Sequence, residues 1–130
     1  MSNVIVYVDT SEVRDGALEQ LKMAMKELVE FIEASEPRLI AYDVFLNDDE
    51  TRVTVLHIHP DSASLEFHMQ VAGPRFQRFV DLVTLSSIDI YGTPSGGVLE
   101  KAQEKARLLG RGSVTAHNLH AGFARLATDA

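Results

Sequence analysis

Thr51-Arg52-Val53-Thr54-Val55-Leu56-His57-Ile58-His59-Pro60-Asp61-Ser62 is the stretch on which the fold turns. Residues 51–59 are mostly β-branched or apolar, and the run stops at a proline followed by two capping residues, so it reads as a strand. Side chains alternate across a strand. Val53, Val55, His57 and His59 therefore share one face, and Thr54, Leu56 and Ile58 share the other. Both faces are largely apolar, so helices packed on one side leave the other in need of a cover. Just upstream, Asn47-Asp48-Asp49-Glu50 is a polar tip and residues 39–46 form a second strand-like run, which makes the pair a hairpin.

The pattern continues on both sides of the hairpin. Downstream, Asp61 or Ser62 caps a helical region with Leu65, Met69 and Ala72 as its apolar stripe. Gly73-Pro74 interrupts it, and Pro74 suits the first turn of a renewed helix carrying Phe76, Phe79, Val80 and Val83. Upstream, Leu18, Leu21, Met25, Leu28, Val29 and Ile32 recur every three or four residues and predict a helix over residues 14–35. Asp15 is its expected N-cap, and Pro37 stops it at Glu36. Residues 4–8 make an opening strand that ends in a turn at Asp9-Thr10-Ser11, and residues 88–91 make a fourth strand.

Strand, helix, hairpin, helix, strand is the split βαβ order of a ferredoxin-like α+β domain with an antiparallel sheet. Residues 1–92 account for it. Residues 93–130 form a C-terminal extension expected to pack on the same domain or on a partner copy. There Val98, Leu99, Ala102, Ala106 and Leu109 predict a third helix ending at Gly110, and residues 113–116 have the composition of a strand. Leu119, Phe123 and Leu126 offer apolar side chains for docking. The stretch Gly92-Thr93-Pro94-Ser95-Gly96-Gly97 lacks the Lys-Ser/Thr ending of a phosphate loop and reads as a linker.

At 130 residues, 45% hydrophobic and 24% charged, the chain fits one globular domain. A net charge of −7 disfavours nucleic acid and anionic membranes as partners. The absence of cysteine removes disulfides, thiolate nucleophiles and cysteine-bound metal. The first residues resemble neither a signal peptide nor a membrane span, so a cytoplasmic protein is expected.

Together these pieces resemble the antibiotic-biosynthesis monooxygenase family, small members of the dimeric α/β-barrel superfamily. The resemblance is carried by residues 4–8, the turn Val13-Arg14-Asp15-Gly16, Ser35-Glu36-Pro37, the strand end His59-Pro60-Asp61-Ser62, and the helix pair Leu65-Glu66-Phe67-His68 and Gly73-Pro74-Arg75-Phe76-Gln77. The gap from His68 to Phe76 is about two residues longer than the family pattern. The resemblance implies a homodimer and a cavity between sheet and helices. Some members oxidise aromatic polyketides or quinols with oxygen and no cofactor, others degrade haem, and many have no known activity. The haem-degrading branch is excluded, since the chain has no tryptophan and no histidine in the segment after Pro74.

Of the residues able to carry chemistry, His68 is singled out as the base, because imidazole titrates near neutral pH and can ionise a phenol or quinol. His57 and His59, two apart on one strand face, are expected to orient the substrate. Such a pair can also bind a metal when a third ligand comes near, but none is identifiable, so no metal and no cofactor are assigned. Tyr7, Tyr42, Phe67, Phe76, Phe79 and Tyr91 are the candidate lining for a small aromatic ligand. A non-catalytic dimeric ligand-binding or interaction domain is the alternative. Ser86 and Ser87 have no His-Asp partners, so a hydrolase triad is rejected.

Overall fold

Five strands join in one sheet of order β2-β3-β1-β4-β5 in the computed structural model, which describes residues 3–126. The elements are β1 (Ile5–Val13), α1 (Leu18–Ser35), β2 (Ala41–Leu46), β3 (Arg52–His59), α2 (Ser62–Ala72), a 3₁₀ segment (Gly73–Phe79), β4 (Val83–Tyr91), α3 (Gly96–Leu109) and β5 (Gly110–His117). The first four strands pair antiparallel in the ferredoxin-like arrangement. β5 runs parallel to β4, so the sheet is mixed and not antiparallel throughout. Parallel neighbours need a crossover, and α3 supplies it. Gly110 makes the change from α3 to β5 possible: its φ is 153°, and a Cβ there would lie 2.9 Å from the Leu85 nitrogen.

Alternation sets what faces inward. Ile5, Tyr7, Asp9 and Ser11 of β1 are buried, as are Val53, Val55, His57 and His59 of β3. In β4 the inward set shifts from Ile88 and Ile90 to Val83 and Leu85 across an irregular register at Ser86–Ser87. One extra residue reverses the parity of a strand, and here it keeps all four apolar side chains inside.

Three sequence expectations change. Asp9-Thr10-Ser11 continues β1 and is not a turn, because Asp9 is buried against a lysine from α3. Val83 starts β4 and does not extend the helix before it. α1 begins at Leu18 with Ala17 as its N-cap and no side-chain cap; Asp15 sits in a turn with Gly16 at φ 77°. Asp61 does cap α2, accepting from the Ser64 backbone N–H at 2.9 Å.

The opposite sheet face carries Val6, Val8, Leu56 and Ile58, all half-buried, with Phe45 exposed at its edge. The β1–β3 register sets Val6 beside Ile58 and Val8 beside Leu56, so this surface is a continuous apolar strip. From Asn118 to Leu126 the chain runs without regular structure, with Leu119 and Phe123 exposed. No helix among the described residues is long and apolar enough to cross a membrane.

Candidate functional site

α2 presents Ser64, Leu65, His68, Met69 and Ala72 to the interior at three- and four-residue spacing. His68 thus points down onto the inner face of β3. α1 ends at Glu36, whose backbone N–H caps Ile32 while its carboxylate, 4% exposed as a residue, turns inward. The two meet: His68 Nδ1 lies 2.9 Å and 3.1 Å from the Glu36 oxygens. A carboxylate only accepts, so Nδ1 carries the proton, and Nε2 of a neutral His68 is left with its lone pair.

Three histidines from two elements come together here. His57 Nδ1 lies 2.7 Å from His59 Nε2, and His59 Nδ1 lies 2.8 Å from Ser64 Oγ. The chain of bonds runs in one direction or the other, according to which tautomer His59 takes. Either way His57 Nε2 is fully buried and has no hydrogen-bond partner among the described residues. The His57 ring is centred 4.6 Å from His68, 4.2 Å from Tyr7 and 5.1 Å from Tyr42. Among the described residues no group of three or more His, Cys, Asp or Glu is placed to hold a metal ion.

Burial pushes His57 well below its usual range, with the neighbouring His68 and His59 adding to the effect, and brings His59 down to about 3. Both rings are therefore neutral near pH 7. An unfolded chain binds those protons from about pH 6.5 downward, so between that pH and about 3 it holds more protons than the folded chain, and stability falls as pH falls. The urea midpoint should drop through this window, and His59→Gln should flatten the drop. An unaltered slope would mean that His59 is charged in the folded protein.

A second polar group closes the other end of the interior. Lys105, on the buried stripe of α3, places Nζ 2.8 Å from Asp9 Oδ2 and 3.2 Å from the Tyr7 hydroxyl, to which it donates. Burial is the largest single influence on Lys105 and opposes its charge, but the Asp9 carboxylate together with Tyr7 and Tyr42 outweighs it and the net shift is upward. The Tyr7 hydroxyl is pushed up to about 12 by burial, and that of Tyr42 is raised by the same cause. Both hydroxyls stay protonated.

A cleft of about 590 Å³ opens between α1 and β2, bordered by Met25, Val29, Tyr42, Val44 and Val53. A cavity of about 30 Å³ lies deeper, among Asp9, Ser11, Tyr42, Phe76 and Lys105, and shares Met25, Tyr42 and Val53 with the cleft.

The sequence-derived candidates divide accordingly. His57, His59, His68, Tyr7, Tyr42, Phe76 and Phe79 all lie on the inner side of the sheet. Phe67 and Tyr91 do not join them. Phe67 points outward from α2, and Tyr91 lies on the outer sheet face, stacked on His117 at 4.4 Å. Sequence reading missed Glu36, Asp9 and Lys105. For Lys105 a signal existed: with Val98, Ala102 and Leu109 it completes a buried helical stripe.

No family model matches the chain, and no curated protein does. Solved structures do. MupZ from Pseudomonas fluorescens superposes with a TM-score of 0.73 at 17% identity, covering 96% of this chain and 91% of its own. SnoaB from Streptomyces nogalater, a cofactor-independent oxygenase, gives 0.61 at 13% identity over 72% of this chain and 96% of its own. A candidate antibiotic biosynthesis monooxygenase from Bacteroides thetaiotaomicron gives 0.56 at 21% identity over 72% and 90%. The likeness is one of fold. The MupZ match leaves out only 4% of this chain, so it reaches into the α3–β5 region as well.

Proposed function

We propose that this chain, which has the fold of the antibiotic-biosynthesis-monooxygenase-like proteins, binds a small aromatic molecule with an ionisable hydroxyl and oxidises it with dioxygen, without a cofactor. One observation carries the reading. His68 is buried, its Nδ1 is bound to a buried carboxylate, and its ring stands 5.6 Å from Tyr42, which borders the cleft. A carboxylate–imidazole pair of this kind makes a directed base. SnoaB, a cofactor-independent oxygenase, shares the fold.

In this mechanism His68 Nε2 removes the hydroxyl proton of a quinol or phenol, while His57 and His59 orient the ring and Tyr7, Tyr42, Phe76 and Phe79 flank it. The electron-rich anion reduces dioxygen, and a carbon–oxygen bond forms on the ring. One oxygen atom remains as a new carbonyl. The other leaves as water with two hydrogens from the substrate, one from the hydroxyl and one from the ring carbon. Incubation with quinols under oxygen tests this by oxygen consumption and product formation; no turnover of any quinol, with no binding, would end it.

The partner in this reading is a second copy of the chain seated on the outer sheet face. The apolar strip of Val6, Val8, Leu56 and Ile58 is covered by no helix among the described residues, and such a strip marks an interface. Leu56→Asp with Ile58→Asp is expected to convert a dimer to a folded monomer in sedimentation equilibrium. A wild-type chain that stays monomeric at high concentration would refute the dimer.

A further inference from the structure

Lys105 has no task in the mechanism above. A buried ammonium is costly to desolvate, and an apolar pair would fill the same space without that cost. Lys105 has three N–H donors. Asp9 takes one and the Tyr7 hydroxyl a second. What remains faces the ring of Phe76, whose centroid is 4.3 Å from Nζ, a weaker partner than a charged oxygen. The adjoining cavity of about 30 Å³ has room for an oxygen atom and not for a ring. Met25, Tyr42 and Val53 line both this cavity and the neighbouring cleft of about 590 Å³, which does have room for a ring.

An independent observation falls at the same place. His57 Nε2 is buried and unpartnered, and the His57 ring packs 4.2 Å from Tyr7, the residue whose hydroxyl accepts from Lys105. Unused hydrogen-bonding capacity therefore flanks Tyr7 on both sides. Buried polar groups are rarely left so without a ligand or water to meet them.

We propose that Lys105 is the anion-receiving group of the site, taking the charged oxygen of a phenolate or enolate whose ring lies in the cleft between α1 and β2. Asp9 holds the ammonium in place, and the Tyr7 hydroxyl competes with the ligand for one of its donors. The inference rests on the reading above, that the ligand carries an ionisable hydroxyl. The hydroxyl proton goes to His68 Nε2, and the charge spreads through the conjugated ring to the oxygen that faces Lys105; no other bond is made or broken in this step. Asp9 leaves the pair without net charge, so Lys105 offers a directed donor more than a bare charge. A delocalised oxyanion suits that better than a phosphate does. The groups facing the ammonium are Asp9 and Tyr7 from β1, Tyr42 from β2 and His57 from β3.

The test uses the 130-residue chain and two probes: 4-nitrophenol, whose absorption moves to longer wavelength on ionisation, and 4-nitroanisole, which has no proton to lose. The wild type should hold 4-nitrophenol ionised at a pH where the free probe is mostly neutral, and bind it about ten-fold tighter than 4-nitroanisole, the scale of one charge-assisted hydrogen bond. Asp9→Asn with Lys105→Gln removes both charges together; it should lose the ionised band and about ten-fold in affinity for 4-nitrophenol, leaving 4-nitroanisole unchanged. Tyr7→Phe, which keeps both charges and frees a donor, should bind ionised 4-nitrophenol at least as tightly as the wild type, and this measurement stands even where the double variant does not fold.

Ionised 4-nitrophenol bound equally by wild type and double variant would overturn Lys105 as the receiving group. So would a wild type that binds 4-nitroanisole but holds 4-nitrophenol neutral, and in that case ring binding in the cleft would survive. A weaker ionised complex in Tyr7→Phe would also overturn it. Neither probe binding to the wild type would end this inference and the ring-binding reading together.

Discussion

Lys105→Met is expected to destabilise the protein by about 3–5 kcal/mol, the range for stripping one partner from a buried ion pair. Asp9 and Lys105 are 5% and 9% exposed, and their atoms meet at 2.8 Å. Removing the ammonium leaves the Asp9 carboxylate in an interior of Val53, Phe76 and Phe79 with no cation to answer it. Asp9→Leu with Lys105→Met should recover most of the loss, because two apolar side chains of similar size fill the space without desolvating any charge. Urea unfolding of the wild type, Lys105→Met, Asp9→Leu and the double variant forms a closed cycle. If the single variant loses less than about 1 kcal/mol, the pair behaves like an exposed one, and the interior is wetter than its burial implies.

His68→Gln is expected to lower turnover of an oxidisable quinol by about 10²–10⁴-fold, the usual worth of a positioned base. Glutamine can still donate toward Glu36, which limits the structural damage, but it cannot carry away a proton. His68→Ala removes the donor as well and leaves a buried carboxylate without its partner, so its loss of stability needs to be measured beside its loss of rate. Glu36→Gln should cost less, about ten-fold, since it keeps an acceptor for Nδ1 and removes only the charge that favours the imidazolium. Rates are compared per folded molecule, by oxygen uptake. Turnover that survives in His68→Gln would move the base elsewhere in the cluster, and His57 Nε2 would be the first place to look.

Much of the architecture could be read from periodicity alone. α1, the hairpin, the capped start of α2 and the break at Gly73 each rest on local chemistry that tertiary packing leaves intact. The misreadings fall where a distant contact overrides a local preference. Asp9-Thr10-Ser11 has the composition of a turn, yet continues the alternation begun by Ile5 and Tyr7, and a lysine 96 positions away makes its burial tolerable. The first half of β4 was hidden by Ser86-Ser87, where the irregular register breaks the period of two on which strand recognition depends. In the site, the shared face of His57 and His59 followed from strand geometry. The partnership of Glu36 and His68 did not, because nothing within 32 residues of sequence marks one for the other.

The distance along the chain between Asp9 and Lys105 also has a consequence for how the protein comes into being. Synthesis proceeds at roughly 5–20 residues per second, so several seconds separate the emergence of β1 from that of α3. During that interval β1, β3 and β4 can pair, but the carboxylate at their centre has no cation beside it until α3 crosses the sheet and β5 joins β4. A buried carboxylate without its partner is strongly destabilising, so the four-stranded sheet alone closes poorly. The final helix therefore brings a counter-charge as well as packing, and the ion pair closes only in the last step of assembly.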